Sequence, residues 1–297
     1  GAGGVERAVE VGVALVGIGC QPTDLARELR GERLAVGDPR RPRLTVPQSP
    51  EVDNLARAIR RLQQLIREAD LGSAPDAPRP IDTRRRHFWR SFLDGRFDRG
   101  GRLAGPAFWF SLKKELRRQH LIIDGEPIAE VDVGASIPRV AYALVGVQPQ
   151  TDPYSPPELA EVDRSALKPV LLQLFWGPLT DRTRLPASAR EAIPACFKAR
   201  EVYAALIRHN RPIAQFLGAE EPIGAELLFH ESEYLIRATS EAFQAGFTAL
   251  PLHDALLVPE SRAELARDIL IDAFHEQLGV FPVVTVKRFK GGKGYNA

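Results

Sequence analysis

A single ionisable pair, His253-Asp254, interrupts the apolar run Leu252-His253-Asp254-Ala255-Leu256-Leu257-Val258. Burying a charge in such a run is unfavourable unless a partner or a metal satisfies it, so the pair asks for a chemical explanation. A second carboxylate, Asp132, ends a similar stretch, Ile128-Ala129-Glu130-Val131-Asp132-Val133. Two aspartates on two apolar strands can share a pair of metal ions. Between them in sequence, Arg164 and Lys168 stand four residues apart, and Trp176-Gly177 follows eight residues later. Residues four and eight apart on a helix share a face, so Arg164, Lys168, Leu172 and Trp176 would lie along one side. Structural readings compete for each feature: a strand-end aspartate can cap the next helix, a His-Asp pair can be a satisfied core contact, and two helical cations can be merely solvated.

The elements that must hold these residues follow from periodicity. Leu121 to Ile123 and Ile128 to Val133 predict a hairpin around the turn Asp124-Gly125-Glu126-Pro127, and a helix is expected from near Pro138. After a polar break at Thr151 to Pro157, helices are predicted over Glu158 to Phe175, Ala189 to Leu217 and Ile223 to Ala245, with Gly246 as the cap of the last. The strand or tight hairpin carrying His253 and Asp254 comes next. Ser261 then opens a helix running to Leu278, and a β-branched strand, Val283 to Val286, follows. This order predicts an α+β fold, an antiparallel sheet backed by helices with a helical lobe inserted between its halves.

Upstream, Leu55, Ile59, Leu62, Leu65 and Ile66 mark one face of a helix over Asp53 to Ala69, closed by Leu71-Gly72 and followed by a Pro- and Ala-rich linker, Ser73 to Pro80. Gly37 to Pro50 reads as a loop. The aromatics Phe88, Trp89, Phe92, Phe97, Phe108, Trp109 and Phe110 read mainly as core.

The chain of 297 residues is 44% hydrophobic with a formal charge of +2, enough apolar content for a substantial core in more than one lobe. Basic clusters at Arg84-Arg85-Arg86, Lys113-Lys114, Arg117-Arg118 and Lys287 to Lys293 are suited to a phosphate backbone, although a solvated face is the default for each. The two cysteines, Cys20 and Cys196, match no zinc spacing, and no disulfide is expected. With no secretory signal read in the sequence, this cysteine usage suggests a reducing cytoplasm, and the apolar run Val11 to Ile18 is too short and too glycine-broken to span a bilayer. Gly17-Ile18-Gly19 reads as a packed turn rather than a dinucleotide loop.

From Gly95 onward the chain resembles the polymerase domain of family A DNA polymerases and their relatives, the single-subunit phage RNA polymerases. Four separated segments carry the resemblance in order: Gly100-Gly101-Arg102-Leu103, Glu130-Val131-Asp132, Arg164 to Lys168 continuing to Trp176-Gly177, and His253-Asp254. It implies a right-hand polymerase with a helical N-terminal region or reduced thumb over 1–85, a palm over 86–157 and 223–297, and fingers over 158–222. It further implies two Mg²⁺ or Mn²⁺ ions on Asp132, Asp254 and the Val133 carbonyl. Arg164, Lys168, Leu172, Trp176 and Ile137 would meet the nucleoside triphosphate, Lys168 acting on the leaving pyrophosphate. Arg102, His253, Lys113, Lys114 and Arg117 would meet the primer-template, with DNA expected over RNA. Such chemistry needs two hard cations about 3.5 to 4 Å apart to clamp an in-line phosphoryl transfer, and aspartate oxygens suit Mg²⁺.

Departures from the family pattern bear on nucleotide choice. Val133 replaces the usual Tyr, Ile137 the residue that crowds the sugar 2′ position, Ala255 the Glu after the last Asp, Leu172 an aromatic and Trp176 a Tyr. The sugar is therefore left open between deoxyribose and ribose. The short segment before the resemblance leaves no room for a proofreading exonuclease, and a weak grip on duplex is expected. His230-Glu231-Ser232 either contacts primer or Asp254, or forms a satisfied core cluster. The alternatives to a DNA polymerase are an RNA polymerase or primase-like enzyme of the same fold, a non-catalytic nucleic-acid binder that keeps the palm shape, and a metal-dependent nuclease using the same carboxylates.

Overall fold

The computed structural model describes residues 13–16, 49–93, 95–178 and 183–289. Gly17-Ile18-Gly19, Cys20, most of the Gly37 to Pro50 loop and the basic tail from Lys290 lie outside the described residues. After β1 (Val13–Val16), helix α1 (Pro50–Glu68) starts earlier than Asp53 because Ser49 caps it, its hydroxyl accepting the Val52 N–H at 3.2 Å, with Pro50 in the first turn. The predicted closure at Leu71-Gly72 is instead a short strand, β2 (Leu71–Ser73), which takes Ser73 out of the linker by pairing with residues Leu121 to Ile123.

A three-stranded sheet joins β1 to β3 (Trp89–Leu93) in parallel and β3 to β4 (Gly100–Ala104) antiparallel. Helices α2 (Phe108–Ser111) and α3 (Lys114–His120) lead into the larger sheet, which begins with β5 (Leu121–Ile123) and β6 (Glu126–Val133). The hairpin is tighter than its sequence suggested. Ile123 pairs directly with Glu126, so only Asp124 and Gly125 turn, both at positive φ, while Glu126 and Pro127 belong to the strand. Asp124 is held there by Thr248, whose backbone N–H and hydroxyl each donate to its carboxylate at 2.8 Å.

Helix α4 (Ser136–Leu144) begins before Pro138, on Ala135 in a left-handed conformation. The inserted lobe is more broken than the hydrophobic pattern implied. One 3₁₀ turn at Pro157–Leu159 precedes α5 (Arg164–Gln173), then come α6 (Ala187–Arg190), α7 (Ala199–His209) and a 3₁₀ segment Arg211–Phe216. Pro156, Pro186, Pro194 and Pro212 punctuate this region, each unable to donate to a continuous helix, while Pro169 is accommodated inside α5. Helix α8 (Gly224–Gln244) matches its prediction, with Gly246 at φ 83° ending it.

Strands β7 (Leu250–Leu252) and β8 (Ala255–Pro259) follow, then α9 (Ala263–Leu278) and β9 (Val284–Arg288). Ser261 does not cap α9; its N–H and hydroxyl bind the Glu126 carboxylate at 2.9 and 2.8 Å, and the helix starts after a 3₁₀ turn. The six-stranded sheet runs β2-β5-β6-β8-β7, with β9 also on β6, every pair antiparallel. The α+β class and the helix-backed antiparallel sheet are thus as expected.

Strand alternation divides the core. Ala129, Val131 and Val133 of β6 and Leu256 and Val258 of β8 join the apolar cluster of α4, α5, α7, α8 and α9. Ile128 and Leu257 turn to the opposite face, against α1, Phe88 and Trp109. Among the described residues no helix is long and apolar enough to cross a membrane.

Candidate active site

Glu130 and Asp132 fall on the same face of β6 as Ile128, because side chains alternate along the strand. Antiparallel pairing sets Asp132 opposite Ala255, beside Asp254, and the Val133 N–H donates to the Asp254 carbonyl at 3.2 Å. His253 and Asp254 are the two turn residues between β7 and β8, since Leu252 pairs with Ala255. His253 adopts φ 58°, a left-handed geometry that a non-glycine residue accepts only where its surroundings enforce it. One such constraint is Trp109, fully buried, whose indole N–H donates at 2.9 Å to the Pro251 carbonyl. The two aspartates, distant in sequence, therefore meet at one end of adjacent strands.

Protein surrounds Asp254 on most sides although solvent reaches it, and that burial, the nearby Glu231 and Asp132 push its carboxyl up to about 7 against the pull of Lys168 and Arg102. His253 is shifted the other way, by burial first and then by Arg102, so it is neutral at pH 7. Burial is the largest cause of both shifts.

Arg102 lies on β4, and its guanidinium grips Glu231 of α8, Nε donating at 2.9 Å and Nη2 closing on the same oxygen. Glu231, only 1% exposed, also accepts from the Ser136 hydroxyl at 2.7 Å, and Ser136 is 2.7 Å from the Tyr234 hydroxyl. Burial opposes the Arg102 charge, but Glu231 more than restores it and the pKa rises. Of the two readings open for His230-Glu231-Ser232, the satisfied polar cluster describes the contacts. Ser232 accepts from Arg90 at 2.8 Å, and His230 meets Gln277.

Of the four residues expected along one helical side, Arg164, Lys168 and Leu172 share α5 and Trp176 does not. Lys168 is exposed on α5, near enough to Asp254 and His253 to shift both. Arg164 instead binds Asp152 at 2.5 Å and lies over the Tyr154 ring at 4.9 Å. Helix α5 ends at Gln173, so Trp176 is not on it; a Cβ on Gly224 would stand 2.6 Å from the Trp176 ring, which lies against the start of α8. Ile137 is buried and Leu172 half-buried, both within the apolar cluster.

The basic group before the hairpin also divides. Lys113 and Lys114 are exposed, but Arg117 is 8% exposed and donates to the Leu112 carbonyl at 3.0 Å, which removes it from any surface that could meet nucleic acid. Arg118 binds Glu130 at 2.6 Å and lies over Phe289. Of the arginine triplet, Arg84 pairs with Asp82 and Arg86 holds the Ile66, Arg67 and Ala69 carbonyls at the end of α1.

Sequence reasoning missed Lys287, which donates to Asp132 Oδ2 at 2.8 Å and stands 3.6 Å from Glu130 Oε1. It was counted with the basic tail because β9 was expected to stop at Val286; the period-2 alternation of Thr285 and Lys287 was the available signal. Buried Arg139, whose Nε donates to the Gly134 carbonyl at 2.8 Å, and the Ser136-Tyr234 pair were missed as well.

Among the described residues no group of three or more His, Cys, Asp or Glu side chains could alone hold a metal ion. The two aspartates nevertheless suit a hard divalent cation. Asp132 already attracts an ammonium, Asp254 lies close enough to feel its charge, and Mg²⁺ commonly uses one or two carboxylates with substrate phosphates completing its shell.

No protein-family model matches the chain, and no curated protein does. Among solved structures it is similar to the POL domain of Pol1 from M. smegmatis, in complex with DNA primer-template and dNTP. The TM-score is 0.38 and the identity 14%, over 80% of this chain and 50% of that one. The chain spans half the length of that structure, and a likeness of this strength assigns neither family nor activity.

Proposed function

We propose that this chain is a template-directed nucleotidyltransferase, favouring DNA synthesis, that extends a nucleic-acid 3′ end with nucleoside triphosphates. In this reading β3 to β9 with α8 and α9 belong to a palm, residues 158–222 to fingers, and residues 1–85 to an N-terminal region that adds β1 and β2 to the two sheets. The observation that carries it is the convergence of Asp132 and Asp254 at one end of adjacent strands, where burial first, then Glu231 and Asp132, raise the Asp254 carboxyl to about 7.

Asp132 and Asp254 would hold Mg²⁺ or Mn²⁺, with the Val133 carbonyl as a further oxygen ligand. Bound there, two such ions supply activation of the 3′ hydroxyl and neutralisation of charge on the transferring phosphoryl group. Exposed Lys168, already within electrostatic reach of Asp254, is available to a pyrophosphate leaving group and can donate it a proton. Arg164 can meet phosphates only by exchanging Asp152 for them, a swap between two charge-assisted partners. Neutral His253, exposed beside Asp254, can donate one ring N–H to a primer phosphate.

Primer extension with Mg²⁺ or Mn²⁺ on primed and unprimed templates, offering deoxy- and ribonucleotides separately, tests this reading. Incorporation by the wild type, and its loss in Asp132→Ala and Asp254→Ala with unchanged circular dichroism, is the expected result. Undiminished incorporation in either variant overturns it. Metal-dependent cleavage of labelled DNA without nucleotides, and no extension, would replace it with a nuclease.

A further inference from the structure

Lys287 occupies a position that the chemistry just described leaves without a task. On β9 it stands directly across the antiparallel ladder from Glu130, and one diagonal step from Asp132, which pairs with Thr285. Its ammonium passes over the nearer ladder partner. It is 3.6 Å from Glu130 and 2.8 Å from Asp132 Oδ2. Glu130 has no need of it, because Arg118 already holds that carboxylate from the other side at 2.6 and 3.2 Å. Asp132 has no other cation bound to it among the described residues.

We propose that Lys287 is the built-in counter-cation of Asp132, competing with a divalent ion for the same carboxylate oxygen and so setting how much metal the site requires. This inference rests on the reading of Asp132 as a metal ligand. Lysine suits such a role: a compact charge on a flexible four-carbon stem, here 42% exposed, can leave the carboxylate without disturbing the backbone ladder. Arginine on the same strand would bind the carboxylate as a fork and release it less readily. Burial works against the Lys287 charge, but the hydrogen bond and the attraction of Asp132 and Glu130 outweigh it, and the group stays protonated through the physiological range.

The test is direct Mn²⁺ binding to the full chain without nucleotide, followed by the electron paramagnetic resonance of free Mn²⁺, in the wild type, Lys287→Met, Lys287→Arg and Asp132→Asn. A hydrogen-bonded, partly exposed ion pair is worth enough for Lys287→Met to bind Mn²⁺ about fivefold more tightly or better. Lys287→Arg should bind no more tightly than the wild type. Unchanged or weaker Mn²⁺ binding in Lys287→Met, with binding still lost in Asp132→Asn, overturns the competition while leaving Asp132 a metal ligand. Wild-type binding preserved in Asp132→Asn, or none in any variant, overturns the metal reading itself. Lys287→Gln repeats the measurement should the methionine variant lose its fold.

Discussion

Arg102 and Glu231 join the three-stranded sheet to α8: the guanidinium of β4 donates from Nε at 2.9 Å to a carboxylate that α8 keeps almost fully buried. Ser136, on the helix that follows Asp132, donates to the other oxygen of the same carboxylate. One acidic side chain thus positions the partly exposed Arg102, the start of α4 and, through Ser136, Tyr234. Removing it leaves a charged group and two hydroxyls without their partner.

Glu231→Ala should destabilise the fold by about 3 kcal/mol, the lower end for a broken buried pair because Arg102 is 39% exposed and can recover some hydration. Urea denaturation with a double-mutant cycle against Arg102→Ala would measure it. Additive losses would show that the two residues do not act together.

Asp254 predicts a pH signature. A carboxyl raised to about 7 when folded, against an ordinary 3.8, binds more protons in the native state across that window. The native state is therefore progressively destabilised as pH rises through the window, to at most about 4 kcal/mol, less what solvent at the cleft screens. Asp254→Asn in chelator should match the wild type near pH 4 and melt at higher temperature than it above pH 7. A melting difference independent of pH would refute the argument.

Gly224→Ala should cost about 1–3 kcal/mol, since the added methyl would meet the Trp176 ring at 2.6 Å against a helix backbone that cannot retreat. In a Trp176→Leu background the same change should be far milder. Equal penalties in both backgrounds, read by thermal melts, would mean the ring does not rest there.

Arg90 is held on every side. Nε donates to the Gly101 carbonyl at 2.9 Å, Nη2 to Ser232 at 2.8 Å, Nη1 pairs with Glu233 at 2.6 Å, and the guanidinium lies over Phe92. Arg90→Ala should lose about 3–5 kcal/mol, and Arg90→Lys most of that, because one ammonium cannot replace a planar fork of donors. A lysine variant as stable as the wild type in denaturant titration would contradict this.

Local chemistry was legible in the residues themselves. The amphipathic stripe of α1, the Asp124-Gly125 turn, the unbroken pattern of α8 with Gly246 behind it, and the apolar runs flanking Asp132 and Asp254 each carry a short-range signal, and each formed the expected element. Where the prolines fell, the sequence also held part of the answer, though hydrophobic periodicity hid it: around Arg164, Pro156, Pro186, Pro194 and Pro212 fall at the breaks between helical segments, where the N–H that proline lacks is not needed, and of these prolines only Pro169 is carried inside an α-helix. The pairing of β6 with β8 that brings the aspartates together was anticipated only through resemblance.

Partnerships between charged groups were decided by the tertiary structure alone. Arg102 and Glu231, or Lys287 and Asp132, are separated by more than a hundred residues, and nothing in local spacing selects one carboxylate over another for a given cation. Arg117 and Lys113 look equivalent in sequence, yet one is buried against a carbonyl and the other solvated. Short-range sterics and hydrophobic period fix which element a residue joins, whereas burial and electrostatic partners depend on which elements the fold sets face to face.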